Sequence, residues 1–251
     1  MPKIALITGA NRGLGKNTAL RLAEDGVDVI ITYRSNADEA QDVVDTATKL
    51  GRTAVALQLD TGRIETFDAF AADIRTALAD RWGRDTFDYL VNNAGIGIHG
   101  SFAETPIDAF DRLMNVHFRG VFFLTQELLP LLADGGRIVN LSTGLTRFTR
   151  PGFAAYASMK GAIEVLTHYL AKELGPRGIT ANVVAPGPIA TDFAGGVIRD
   201  SDEYRTRLGS DAALGRVGEP DDIGGVIASL LSDRNAFVTA QRLEASGGTL
   251  I

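Results

Sequence analysis

The chain contains no cysteine, which removes disulfide staples, thiol nucleophiles and thiolate metal sites together. Nor does it carry an excess of positive charge. Its 25 lysines and arginines against 31 acids leave a formal net charge of −6, the wrong sign for non-specific attraction to nucleic acid or an anionic membrane surface. Long apolar runs are missing as well. The longest, such as 226–231, fall far short of the ~20 residues that cross a bilayer as a helix. Met1-Pro2-Lys3 runs straight into Ile4-Ala5-Leu6-Ile7, which reads as a strand and leaves no room for a signal segment. A soluble cytoplasmic protein with no membrane and no nucleic-acid partner is the expectation. His99, His117 and His168 are scattered along the chain, and none has a partner at metal-ligand spacing, so no metal is expected. His117 and His168 read as ordinary helix positions. His99 reads as a loop residue that either borders a substrate or is merely solvated.

What is present in quantity is apolar surface and glycine. Hydrophobic residues make up 45% of the 251, enough for one sizeable core at a length where α/β chains often form a single unit. Short β-rich runs lie at 3–7, 27–32, 53–58, 87–91, 137–141, 179–184 and 241–244. Between them, stretches with helical spacing lie at 14–25, 38–50, 66–82, 106–132, 154–174 and 220–231. Strand–helix alternation through a whole chain implies βαβ units, that is, a doubly wound parallel sheet with right-handed crossovers covering both faces. The continuous apolar run Val29-Ile30-Ile31 suits a strand buried on both sides. No linker or repeat interrupts the pattern, so residues 1–251 are read as one domain. Only about 187–219, with Gly195-Gly196 and several charges, lacks a pattern. It is either a substrate loop at the strand ends or a plain surface excursion.

After the first strand comes Thr8-Gly9-Ala10-Asn11-Arg12-Gly13-Leu14-Gly15, leading directly into a helix. Glycines here tighten the turn and let a pyrophosphate approach the backbone, and the helix N-terminus offers its free N–H groups to that anion. The spacing G-x-x-x-G-x-G differs from the usual dinucleotide fingerprint, so the position between strand and helix carries the reading. An acid about 20 residues after the glycines would accept from a ribose 2′-hydroxyl and repel a 2′-phosphate. At that point stands Tyr33-Arg34-Ser35, with no carboxylate. Arg34, with Arg12 from the glycine turn, can pair with a phosphate, which favours NADP(H). Asp38, inside the next helix, is expected to face solvent.

Tyr156-Ala157-Ser158-Met159-Lys160 opens a helical segment. Residues i and i+4 share a face, so a phenol and an ammonium can meet over one ligand. A free tyrosine has a pKa near 10, and a cation beside it favours the phenolate and makes it a usable general acid or base. The alternative is a tyrosine capping the core beside a lysine snorkelling outward.

The glycine turn, Asn92-Asn93-Ala94-Gly95, Tyr156 with Lys160, and Pro186-Gly187 stand in the order and spacing of one family. From Lys3 to Gly248 the chain resembles the short-chain dehydrogenase/reductases, and within them the 3-oxoacyl-carrier-protein reductases and related ketone reductases. That resemblance implies a Rossmann-type sheet of seven parallel strands ordered 3-2-1-4-5-6-7. It also implies an NADP(H)-dependent oxidoreductase interconverting a carbonyl and a secondary alcohol of a small molecule by hydride transfer. The tail 243–248 is similar to the family's last strand, where members commonly associate, so a homotetramer is expected. Tyr156 would protonate the carbonyl oxygen, Lys160 would lower its pKa and bind the nicotinamide ribose, and Asn115 would hold a water in the proton relay. The cofactor would meet Gly9, Asn11, Arg12, Gly13, Leu14, Gly15, Tyr33, Arg34, Ser35, Asp60, Thr61, Asn92, Ala94, Gly95, Pro186, Gly187, Ile189 and Thr191, with Asn92 chiefly supporting the sheet.

One position departs from the pattern. The family places a serine 13 residues before the tyrosine, and Thr143 stands there, with Ser142 just before it. Either hydroxyl could hold the substrate oxygen, and the marker Pro151 eight residues on favours Thr143. The missing serine also leaves room for an impaired, NADP(H)-binding regulatory protein; a lyase or epimerase on the same fold, with the cofactor regenerated or unused, is a third reading. Phe148, Phe153 and Phe193 suggest an apolar substrate wall, whereas Arg147 and Arg150 meet either an anionic group or only solvent.

Overall fold

The structure, a computed structural model, describes residues 2–251. Seven strands form one sheet: β1 (Ile4–Ile7), β2 (Asp28–Tyr33), β3 (Ala54–Gln58), β4 (Phe87–Asn92), β5 (Leu132–Leu141), β6 (Thr180–Pro186) and β7 (Arg242–Ala245). Their order is β3-β2-β1-β4-β5-β6-β7, with every neighbouring pair parallel, the order the family resemblance implies. The helices are α1 (Gly13–Glu24), α2 (Ala37–Lys49), α3 (Phe67–Trp82), α4 (Ile107–Met114), α5 (Gly120–Leu128), α6 (Ala154–Leu174), α7 (Val197–Asp200), α8 (Asp202–Gly209) and α9 (Pro220–Leu231). Side chains alternate across each strand, and the core divides accordingly. Ala5 and Ile7 of β1 join Val29 and Ile31 under α1, α2 and α9. Ile4 and Leu6 join Ile30 on the opposite face under α3, α5 and α6. A slip of one residue in β1 would exchange the two sets.

Helix ends follow local chemistry. Asn36 caps α2, its side-chain oxygen accepting from the Glu39 N–H at 3.3 Å, and Asp38 and Glu39 sit in the positive first turn. Proline at the first position and a reciprocal Glu219–Asp222 capping box start α9.

Two segments differ from the sequence expectation. The stretch 106–132 is not one helix. After α4 a π-helical turn spans Asn115–Arg119, α5 follows, and Leu132 already belongs to β5. Gly120 sits so close to the loop after β3 that a Cβ there would lie 2.0 Å from the Thr61 carbonyl oxygen. Hydrophobic spacing cannot register a one-residue widening of the helix, because it changes the register by less than a turn. The second difference is 187–219, which contains α7 and α8. The segment is tied down by a bridge between Ile189 and Gly218 and by an ion pair from Arg150 to Asp211. Only Leu208 and Gly209 of α8 are buried, so the helix has almost no apolar stripe to read.

Strand order reverses between β1 and β4. In doubly wound sheets the ligand crevice opens at that reversal, outside the C-terminal strand ends.

Candidate active site

The glycine turn lines this crevice. Gly9 takes φ +62°, and a Cβ there would lie 3.0 Å from the Cα of Ala94. Gly15 is tighter: its Cβ would fall 2.5 Å from Asn93 Nδ2 and 2.6 Å from the Gly9 carbonyl oxygen. Backbone therefore packs on backbone, and the first N–H groups of α1 are left facing the crevice. A lock that the sequence reading did not assign holds this arrangement. Thr8 Oγ1 accepts from the N–H groups of Asn93 at 3.0 Å and Ala94 at 2.9 Å, and Asn93 Nδ2 donates to the carbonyls of Thr8 at 2.8 Å and Gly9 at 3.1 Å. Asn92 faces the other way. It is buried and donates to Asn140 Oδ1 at 2.8 Å and Thr125 Oγ1 at 3.1 Å, bonds that tie β4 to β5 and α5. Opposite the turn, the Cβ of Thr191 lies 3.8 Å from where a Gly13 Cβ would be. Ile189 and Thr191 are buried beside it, and Gly187 presses on Ser246, where a Cβ would come within 2.8 Å.

At the end of β2, Tyr33 is half-buried while Arg34, Ser35 and Arg12 are exposed, as is Asp38. No acid follows the strand directly. The first turn of α2 nevertheless brings Glu39 to the glycine turn, where its carboxylate accepts from Asn11 Nδ2 at 2.6 Å. Only the fold could show that, because 28 residues separate the two. At the end of β3, Asp60 Oδ1 accepts from the Gly62 N–H at 2.9 Å and Thr61 is buried beside it.

The first turns of α6 carry Tyr156 and Lys160 on one buried face. Lys160 Nζ lies 5.9 Å from the centre of the tyrosine ring and donates to the Leu141 carbonyl at 2.7 Å. Burial lowers the lysine to about 7. Burial also raises the Tyr156 phenol well above its ordinary value, and the Thr143 hydroxyl beside it draws it partly back.

The two candidate hydroxyls before α6 point apart. Thr143 is the one beside the phenol, where it draws the pKa down against burial, and its Oγ1 also accepts from the Leu145 N–H at 3.3 Å. Ser142 Oγ donates at 2.6 Å to Glu164 Oε1, on the far side of the strand end. Successive residues of an extended chain face opposite ways, so only one can meet the crevice.

In the π turn it is His117 whose ring meets Tyr156, with centroids 5.1 Å apart. Asn115 opens the same turn. The buried Asn115 Oδ1 finds no hydrogen-bond partner among the described residues. Apolar spacing could not separate the two positions, because the helix widens between them.

Around Tyr156 stand Phe193 and Phe153, with ring centroids at 5.9 and 6.5 Å, and His99 meets Phe153 edge-on at 5.1 Å. Arg147 is spent on Glu244 at 2.6 Å and on the Leu250 carbonyl at 3.0 Å, and Arg150 on Asp211. Neither arginine is left to receive an anion. Phe148 lies under the Arg147 guanidinium. A cleft of about 390 Å³ lined by Phe102, Leu145 and Phe153 opens beside this wall, on the outer side of the α6 N-terminus.

Comparison with known proteins agrees with this fold. Residues 9–249 match the family model described as enoyl-(acyl carrier protein) reductase. The chain is 36% identical over 246 residues to an uncharacterised oxidoreductase of Methylorubrum extorquens, covering 98% of this chain and 97% of that one. It is 33% identical over 250 residues to the 3-oxoacyl-[acyl-carrier-protein] reductase FabG of Staphylococcus aureus, covering 99% and 98%. Among solved structures, the angucycline C-6 ketoreductase LanV with bound NADP is similar at a TM-score of 0.94 and 37% identity, covering 99% of this chain and 95% of that one. Fold, crevice and full-length similarity together place this chain in the short-chain dehydrogenase/reductase family.

Proposed function

We propose that the protein is an NADP(H)-dependent ketone reductase, interconverting a carbonyl and a secondary alcohol, with Tyr156 as its acid. The observation that carries the reading is the buried Tyr156 phenol, with Thr143 beside it and Lys160 one helical turn away on the same buried face. The crevice suits a dinucleotide, since Gly9 and Gly15 let the turn close tightly on Ala94 and Asn93 and leave the first N–H groups of α1 open to an anion. Gly9, Gly13, Gly15, Ala94 and Thr191 would hold the cofactor, with Arg12, Arg34 and Ser35 around a 2′-phosphate. When bound, NADPH supplies the hydride.

The chain's own groups do the rest. Thr143 and Tyr156 both reach the site of the carbonyl oxygen, so two hydrogen bonds polarise it. Tyr156 then gives its proton to that oxygen as charge develops. Lys160, a cation below about pH 7 in the free protein, steadies the phenolate that remains. Phe153 and Phe193 exclude water and favour an apolar ketone. Arg147 and Arg150 are both paired with acids of the chain itself, which weakens their pull on an anionic substrate.

The test is NADPH oxidation across a panel of neutral aromatic, alicyclic and 3-oxo-ester ketones, with NADH in parallel. Turnover of none of them ends the reading. Arg34→Ala should cost about 10–100-fold in kcat/KM for NADPH, the worth of one charged hydrogen bond, and leave NADH kinetics nearly unchanged. An equal loss with both cofactors would place Arg34 outside the phosphate site.

A homotetramer belongs to the same proposal. Phe122, Phe123, Val165 and Tyr169 on α5 and α6 are exposed, and so are Phe237, Leu243 and Ile251 near β7. Two apolar faces on one chain suit a dimer of dimers. Sedimentation at low micromolar concentration should give four chains per particle, and a monomer there would exclude it.

A further inference from the structure

Beneath Tyr156 lies a side chain that the proposed chemistry leaves unused. His117 is fully buried in the π turn and meets the tyrosine ring edge-on, at an interplanar angle of 88°. Its Nε2 lies 2.7 Å from the carbonyl oxygen of Ile96 and 3.2 Å from the nitrogen of the same residue. The shorter contact assigns a proton to Nε2, which donates to the carbonyl. On its other edge the ring occupies the space a side chain at Gly95 would need: a Cβ there would fall 2.8 Å from Cε1. Nδ1 is buried without a hydrogen bond among the described residues. Simple packing does not call for such a residue, because an aromatic hydrocarbon would fill the volume without leaving a polar nitrogen unpaired, a cost of about 1–3 kcal/mol.

We propose that His117 is a positioning residue of the active site, clamped on the Gly95–Ile96 turn so that its ring fixes the place of the Tyr156 phenol against the cofactor side of the crevice. The inference rests on Tyr156 being the acid. The clamp explains three features at once: the glycine at position 95, the π turn that delivers residue 117 to the tyrosine, and the imidazole itself. Burial first, and the Lys160 cation second, push the ring down to about 3. It therefore stays neutral near physiological pH and competes neither for the lysine's charge nor for the phenol's proton.

The experiment compares His117→Phe with His117→Gln in the full-length protein. Phenylalanine keeps an aromatic edge but loses the bond to Ile96, whereas the glutamine amide can still donate to that carbonyl. His117→Phe should bind NADPH within threefold of the parent by cofactor fluorescence and keep its ketone KM within threefold. Its kcat should fall at least tenfold, and His117→Gln should recover at least threefold of that loss. A His117→Phe enzyme retaining more than half of the parental kcat overturns the proposal, as does a His117→Gln enzyme no better than the phenylalanine variant.

A second measurement decides the matter if His117→Phe fails to fold. Gly95→Ala should lower kcat at least tenfold in the parent but less than threefold in a His117→Asn background, where the smaller side chain makes room. Equal penalties in both backgrounds overturn the clamp. Tyr156→Phe separates the two levels. If it is inactive while His117→Phe is fully active, only the clamp fails; if it retains full turnover, the reading beneath it fails.

Discussion

Tyr156→Phe is expected to lower kcat by about 10²–10⁴-fold, the usual worth of a positioned general acid, with NADPH binding unchanged within a few-fold. The substitution removes a single oxygen. The ring keeps its place against His117 and Phe193, so packing and fold should survive, and the change isolates the proton. Retention of more than a tenth of parental turnover would mean another group supplies it. Lys160 adds a pH signature. It is lowered to about 7 by burial alone, so it loses its charge as pH rises through that value, and an anionic cofactor loses an attractive partner with it. The value of kcat/KM for NADPH, which reports the free enzyme, should therefore fall above about pH 7. That limb should vanish in Lys160→Met, and a profile flat from pH 6 to 9 in the parent would remove the lysine from cofactor binding.

The second large effect is expected at Glu164, a residue that touches neither crevice nor cofactor turn. Its Oε1 accepts from Ser142 Oγ at 2.6 Å, Thr146 Oγ1 at 2.7 Å and Arg242 Nε at 2.8 Å. Arg242 in turn donates to the Thr143 carbonyl at 3.1 Å and to Glu244 at 3.0 Å. Arg147 holds the Glu244 carboxyl down to about 2. This chain of charges ties β7 and the C-terminal tail to the backbone of Thr143. Glu164→Ala removes one of the two carboxylates that hold the part-buried Arg242 guanidinium, together with the shared acceptor of two hydroxyls, and should destabilise the protein by about 1–3 kcal/mol. Glu164→Gln keeps an acceptor for the hydroxyls and should lose about half as much. Denaturant unfolding with a midpoint unchanged from the parent in Glu164→Ala would show the network to be idle. The carboxylate side chain is 19% exposed, so solvent screens it only in part.

Much of the architecture was legible because its causes are local. The apolar doublets of β1 and β2 declare a strand buried on both faces, and the Asn36 and Pro220 starts of α2 and α9 follow from capping chemistry. The glycine turn, too, can be read directly, since a helix beginning immediately after a strand exposes its N–H groups wherever it sits. Less was legible around the tyrosine. Asn115 and His117 are both polar residues in an apolar helix, and two positions separate them. Which one meets Tyr156 depends on a π turn that ends at Gly120, packed on the Thr61 carbonyl far away in sequence. In the same way Arg147 and Arg150 look like free cations in sequence, and their partners Glu244 and Asp211 lie 97 and 61 residues away. Glu39 reaches Asn11 across the gap between two consecutive helices.

By itself the amino-acid sequence determined the doubly wound parallel sheet, the position of the crevice-lining glycines and the shared helical face of Tyr156 and Lys160. Each of these depends on periodicity or on a spacing of a few residues. Tertiary structure alone decided which hydroxyl faces the phenol, which arginines are already paired, and which residue of the π turn stands beneath Tyr156. Those depend on the direction of single side chains, and a direction is set by the close approach of backbone segments distant in sequence, such as Gly120 on Thr61 and Gly95 on His117.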